Sequence, residues 1–161
     1  MGNGALERLA LSKGVDIHTL DPSERVIRRL QEELGLGDKA RAGYAQEMPF
    51  KDAQFDVVVM CEVLEHLGDE ILSKALLEVW RVLKPGDFLL AGTSYREDLG
   101  KNIVVCPYCG KVFHKVGYVQ SFDKVRMTGI LIMHGYEISE LYVTTFVDWR
   151  RKGLKNFPSS L

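Results

Sequence analysis

An α/β domain with a mostly parallel sheet is the fold this sequence predicts, and three observations carry the expectation. Helix and strand patterns alternate three times between residues 5 and 93. The strand Phe55-Asp56-Val57-Val58-Val59-Met60 has an unbroken β-branched run, which suits burial on both faces of a parallel sheet. A Gly2-Asn3-Gly4 turn opens a helix pattern that leads into a strand and then Asp21, the layout of half a nucleotide-binding βαβ unit. Such alternation calls for right-handed crossovers between parallel strands.

Each element has its own local cause. Leu6, Leu9 and Ala10 recur at three- and four-residue spacing and predict a helix over residues 5–13, stopped by Gly14. Residues 15–20 alternate as a strand, with His18 facing solvent. Asp21-Pro22-Ser23-Glu24 reads as a helix start with Asp21 at the N-cap and Pro22 at the first helical position. Val26, Ile27, Leu30 and Leu34 form the stripe of that helix, and Gly35 ends it. A short strand is expected over 41–45, then a loop around Met48-Pro49-Phe50, then the strand at 55–60.

A second strong stripe, Ile71, Leu72, Ala75, Leu76, Val79, Trp80 and Leu83, closes at Lys84-Pro85-Gly86, and residues 88–93 follow as a strand. From 94 to 120 the rhythm breaks into an insertion carrying Cys106-Pro107-Tyr108-Cys109. A helix over 122–133, with Phe122, Val125, Ile130 and Met133 on its apolar side, and a strand over 136–146 complete the order. Residues 149–161 read as a polar tail.

Composition bounds the function. A chain of 161 residues fits one domain, and 46% hydrophobic with 27% charged residues describes an ordinary globular protein rather than a disordered one. With 21 basic against 22 acidic side chains there is no global field to attract nucleic acid or an anionic membrane. The cluster Arg150-Arg151-Lys152 with Lys155 reads as a solvated tail. No apolar run reaches the roughly twenty residues of a membrane span, and no basic-then-apolar leader opens the sequence. A cytoplasmic protein without nucleic-acid or membrane partners is expected.

Six segments, in order, resemble the class I S-adenosylmethionine-dependent methyltransferases of the small-molecule branch. Gly2-Asn3-Gly4 resembles the end of their glycine loop, and Asp21 the acid that holds the ribose hydroxyls. Gly43-Tyr44-Ala45-Gln46-Glu47-Met48-Pro49-Phe50 is similar to the adenine-side loop and Phe55-Asp56-Val57-Val58 to the fourth strand. Cys61-Glu62-Val63-Leu64-Glu65-His66 resembles the segment after that strand, and Arg81-Val82-Leu83-Lys84-Pro85-Gly86 the family's most recognisable signature.

The resemblance implies a Rossmann-like three-layer sandwich with S-adenosylmethionine as cofactor, contacted by Gly2, Gly4, Asp21, Pro22, Ala45, Gln46 and Cys61. Tyr44 stands where many relatives have an acid on the adenine amino group, so Gln46 or the backbone of Ala45 takes that contact. The physics is compatible: ligands of such sheets bind outside the carboxyl ends of the strands, where every named segment falls. Methyl transfer from a sulfonium needs alignment more than covalent help. His66 is the candidate base for an acceptor that must lose a proton, histidine being suited to proton transfer near neutrality.

Ahead of the glycine turn there is no sequence for the family's central first strand, so a sheet incomplete at its N-terminal end is expected. Three readings stay open: upstream residues are missing, the second and fourth strands pair directly, or a partner supplies the strand. Cys106 and Cys109 suit a structural zinc, with His114 as third ligand and His134 or water as fourth, but equally a redox pair or a plain turn. Two rival functions also remain, a silent domain that keeps the fold as a scaffold and a nicotinamide-dependent oxidoreductase.

Overall fold

The structure, a computed structural model, describes residues 4–144. Its order is helix α1 (Ala5–Ser12), strand β1 (Thr19–Asp21), helix α2 (Glu24–Leu34), strand β2 (Ala40–Ala42), strand β3 (Phe55–Cys61), helix α3 (Asp69–Val82) and strand β4 (Leu83–Gly92). A hairpin of β5 (Ile103–Val105) and β6 (Val112–His114) and the helix α4 (Lys124–Met133) follow. β1 pairs with β2 and β3 with β4, both parallel, as the alternation predicts. β1 and β3 share no ladder among the described residues, so the expectation that second and fourth strands might pair directly is not met.

Two clusters hold these pairs. On α3, Leu72, Ala75, Leu76, Val79 and Val82 are all buried, and the first four pack with Met60, Leu64 and Phe122. Burying a large apolar side chain contributes about 1.5–3 kcal/mol, so this stripe is the chief source of stability. Val26, Ile27 and Leu30 of α2 pack with Leu36 and Ala40 in the second cluster. A Cβ at Gly4 would stand 2.8 Å from Leu30 Cδ2, and its φ of 75° lies in the left-handed region, so α1 approaches α2 only because residue 4 is glycine.

Polar stitches join loops to this frame. Arg81 donates to Glu78 Oε1 (2.8 Å) and Oε2 (2.7 Å), Asp52 (2.7 Å) and the carbonyls of Phe50 (2.8 Å) and Met48 (3.0 Å), while Met48 N–H donates to Glu78 (2.7 Å). The loop before β3 is thereby pinned to the last turn of α3. Its Phe50 ring and that of Phe55 enclose His18, at 5.9 and 5.3 Å. Ser73 Oγ at 2.7 Å from His134 Nε2 and Tyr136 Oη donating to Leu76 O at 2.7 Å tie the end of α4 to α3.

Several expectations need correction. The first strand begins at Thr19 rather than residue 15, because Gly14 at φ 72° leads the chain out of α1 through an irregular stretch with Val15 exposed. His18 is half-buried between the two phenylalanines, not solvent-facing. Asp21 does not cap α2: Ser23 Oγ accepts from Val26 N at 3.4 Å, while Asp21 Oδ1 accepts from Ser23 N at 2.8 Å, leaving Pro22 ahead of the cap.

β3 is covered on one face only. Val58 and Met60 meet the α3 cluster, whereas Val57 and Val59, with Phe88 and Leu90 on β4, are exposed. Leu6 and Leu9 of α1 are likewise exposed. α4 starts at Lys124, its cap Asp123 accepting from Arg126 N at 2.9 Å. It packs through Met127, Ile130 and Leu131 and leaves Val125 and Met133 outside. No strand forms over 136–144; residues 145–146 and the tail lie outside the described residues. No helix of the described residues is long and apolar enough to cross a membrane.

Shortening Leu76 tests the account of the core. Leu76→Ala removes a side chain that is 1% exposed, so unfolding in denaturant should show a loss of roughly 2–5 kcal/mol.

Candidate functional site

In each parallel pair both strands end on the same side, which is where the sequence-selected residues fall. Asp21 closes β1, with its backbone carbonyl accepting from Gly43 N at 3.2 Å. One carboxylate oxygen closes the turn onto Ser23; Oδ2 has no partner among the described residues. Tyr44 and Glu47 bridge across a tight turn whose Gly43 leaves no room for a side chain, since a Cβ there would stand 3.0 Å from Leu20 Cδ1. Ala45 is half-buried against the α3 cluster, and Gln46 beside it is half-buried as well. Gly2 lies outside the described residues; Gly4 serves the α1–α2 contact.

The end of β3 is chemically richer. Glu62 N donates to Gly92 O at 2.8 Å, so the ladder runs one residue past the strand, and Glu62 then adopts φ 55°, a left-handed conformation that side chains rarely take. A 3-10 turn, Leu64–His66, follows. Cys61, at the end of β3, is exposed. Burial around its thiol, then the charges of Glu62 and Glu65, push the Cys61 pKa up.

Glu65 is 1% exposed, and neither carboxyl oxygen has a hydrogen-bond partner. Burial raises its pKa first of all, and the neighbouring Glu62 adds to the rise. The Glu65 backbone N–H and the Thr93 hydroxyl, at the end of the adjacent strand, act the other way and offset part of that rise. Backbone N–H groups of Val119 (2.9 Å) and Gln120 (3.3 Å) donate to Glu65 O, and Gln120 Nε2 to the carbonyls of Leu64 (3.2 Å) and Leu67, so the insertion is seated over this turn.

Tyr118 is the hub of that seat. Its hydroxyl donates to Glu62 Oε2 at 3.2 Å and lies 3.2 Å from Ser94 Oγ. Its ring meets His66 edge-on at 5.0 Å and stacks on His114 at 5.0 Å. His66 Nδ1 donates to Gly117 O at 3.2 Å, which in the neutral ring leaves Nε2 as the proton-accepting atom. The candidate base is thus placed at the mouth of the site, exposed. Sequence reasoning missed Glu65 because its turn carries no periodic pattern; the signal was a carboxylate three residues after another at a strand end.

The zinc set is not assembled. Pairing of Val105 with Val112 leaves Cys106 and Cys109 in the hairpin turn, while His114 stands opposite Ile103, two ladder steps or roughly 7 Å away. His114 is instead buried against Tyr118, and no group of three His, Cys, Asp or Glu that could hold a metal occurs among the described residues. His134, the suggested fourth ligand, uses Nδ1 on Ile130 O (2.8 Å) and Nε2 on Ser73. The turn itself is ordered by Gly110 N donating to Cys106 O at 2.9 Å, and the backbone N–H groups of Cys109 and then Tyr108 hold the Cys106 thiol below the usual range. A shallow groove along α2 and β2, lined by Ile27, Gln31, Arg41 and Pro49, includes none of the predicted site residues.

Comparison with known proteins agrees with this geometry. The model of a methyltransferase domain matches residues 1–91. A probable S-adenosylmethionine-dependent methyltransferase of Mycolicibacterium smegmatis is 29% identical over 123 residues, 75% of this chain and 43% of that protein. Demethylmenaquinone methyltransferase of Lactiplantibacillus plantarum is 36% identical over 106 residues, 65% and 39% of the two chains. The chain spans less than half the length of the first curated relatives it matches. The crystal structure of a SAM-dependent methyltransferase from Methanosarcina mazei superposes with a TM-score of 0.65 at 23% identity, covering 86% of this chain and 77% of that one. That likeness shows a Rossmann-like α/β fold.

The raised pKa of Glu65 fixes the sign of a pH effect. The folded state holds this proton more tightly than the unfolded one, so the carboxyl costs stability as pH rises above its ordinary value of 4.5 and costs nothing well below it. Glu65→Gln should therefore melt above the wild type near neutral pH, by about 2–4 °C per kcal/mol relieved. Thermal unfolding followed from neutral to acid pH should show the difference closing.

Proposed function

The chain belongs to the methyltransferase domain family, and from that premise we propose that it transfers the methyl group of S-adenosylmethionine to a small-molecule acceptor. The observation that supports the reading best is the gathering of Asp21, the 43–46 turn and the 61–66 turn at the carboxyl ends of parallel strands. Of the two rivals, neither the scaffold nor the oxidoreductase is favoured by any feature of the site.

Asp21 suits the ribose: Oδ1 is fixed in its own turn and Oδ2 has no partner among the described residues. Pro22 limits the backbone beside it, and the turn at Ala45 and Gln46, stiffened from behind by Arg81 and Glu78, would flank the adenine. Gly4, with Gly2 outside the described residues, would serve the methionine side, and Cys61 ends β3. The cofactor brings an activated sulfonium methyl group. What the chain adds is orientation and shielding, with the 94–120 insertion covering the acceptor side and His66 Nε2 available to a proton there.

Titration calorimetry with S-adenosylhomocysteine tests this. The wild type should bind, and Asp21→Ala should weaken binding roughly tenfold or more, the scale of a charge-assisted hydrogen bond. No binding by the wild type, or equal binding by the variant, would contradict the reading.

A further inference from the structure

Cys106-Pro107-Tyr108-Cys109, at the tip of the β5–β6 hairpin, has no part in the proposed methyl transfer. The chain turns there under tight constraint. Cys106 N donates to Lys111 O at 2.8 Å and Gly110 N to Cys106 O at 2.9 Å, with Gly110 at φ 68°, so one hydrogen-bonded loop encloses both cysteines. A turn of this size holds its first and fourth Cα atoms within about 7 Å, and a disulfide spans about 4.4–6.8 Å. The two sulfurs are neighbours: the Cys109 thiol donates to the Cys106 sulfur, as do the backbone N–H groups of Cys109 and Tyr108. Both cysteines are free thiols, Cys109 exposed and Cys106 half-buried, and Tyr108 between them stands 97% exposed, so the turn projects into solvent. From residue 99 to 122 the chain carries Lys101, Lys111 and Lys115 and no aspartate or glutamate, so no carboxylate of this stretch opposes a thiolate at its tip.

Two chemistries use such a pair. A structural zinc takes further ligands, and no group of three His, Cys, Asp or Glu that could hold a metal occurs among the described residues. Thiol–disulfide exchange needs only what the turn holds: one sulfur stabilised as its thiolate, a second thiol within reach, and open access. We propose that Cys106 and Cys109 form a dithiol–disulfide exchange site whose substrate is a low-molecular-weight disulfide. Cys106, as its thiolate, attacks one sulfur of the small disulfide. The S–S bond of that molecule breaks, and its other half leaves as a thiolate that takes up the proton Cys106 gave to solvent. Cys109 then loses its proton, attacks the Cys106 sulfur of the mixed disulfide and expels the second half, which is protonated in turn. The protein dithiol is oxidised by two electrons, and one small disulfide is reduced to two thiols. β6 leads from this turn to His114, which stacks on Tyr118, so the new bond closes on the element that reaches the 61–66 turn.

This assignment is independent of the methyltransferase reading. Glutathione disulfide is added to the reduced full chain near neutral pH, and the products are followed by intact mass and peptide mapping, with Cys61 as the internal reference thiol. The wild type should lose the mass of two hydrogens, with a bond mapped between Cys106 and Cys109, and dithiothreitol should restore the starting mass. Cys106 should react roughly tenfold or more faster than Cys61, whose thiol is pushed the other way by burial. In Cys109→Ser the reaction should stop with glutathione held on Cys106, and in Cys106→Ser the fast phase should be lost, far-UV circular dichroism confirming that both variants are folded. Equal reaction of all three cysteines in the wild type, glutathione left on Cys106 and Cys109 with no bond between them, or stoichiometric zinc retained by the reduced protein and blocking the reaction would overturn the assignment.

Discussion

The packing of α3 on β3 and β4 is the constraint on which the rest depends. Five buried positions on one helix stripe hold the parallel pair from a single side, and the register Met60 to Ala91 and Cys61 to Gly92 brings the two carboxyl ends level. Everything chemical begins where that ladder ends. The last turn of the same helix carries Arg81, whose five hydrogen bonds to Glu78, Asp52 and two loop carbonyls hold the 48–52 segment in place. Partners on both sides raise the Arg81 pKa, Glu78 first and Asp52 next, so the clamp keeps its charge throughout the accessible pH range. A residue inside the family's most recognisable segment thus acts by positioning the loop opposite.

Beyond the ladder, Glu62 takes a left-handed φ, Glu65 is buried with its carboxyl beside Thr93, and His114 is buried with Nε2 3.8 Å from Glu97. The surrounding structure tolerates this because the backbone is over-determined there: Glu62 N, Glu65 O, His66 N and Leu67 N all make hydrogen bonds at 2.8–3.2 Å. A left-handed non-glycine residue and a buried carboxyl at the end of a parallel ladder suit a site shaped for a ligand.

Much of this was legible in the sequence. The alternation of patterns located every helix and the four parallel strands, since stripes such as Leu72 to Val82 and the run Val57-Val58-Val59 are strong local signals. Strand burial was misread because a β-branched run cannot say whether one face or both are covered. The Asp21 cap failed for a local reason: two side chains competed for one helix start, and Ser23, one residue nearer the helix, accepts from Val26 while Asp21 closes the turn before it. The zinc set was misread because Cys-x-x-Cys spacing is short-range, whereas the place of His114 follows from hairpin register and from Tyr118. Glu65 was invisible because burial of a lone carboxylate is a tertiary property.

The central claim is that one rim, the carboxyl ends of the parallel strands, carries the function. Backbone amide shifts recorded by NMR as S-adenosylhomocysteine is added test it most directly. The account predicts changes concentrated at Gly4, Asp21 to Ser23, Gly43 to Gln46 and Cys61 to His66, with little along the outer face of α2. Changes centred on the groove formed by Ile27, Gln31 and Arg41, or none at saturating ligand, would contradict it.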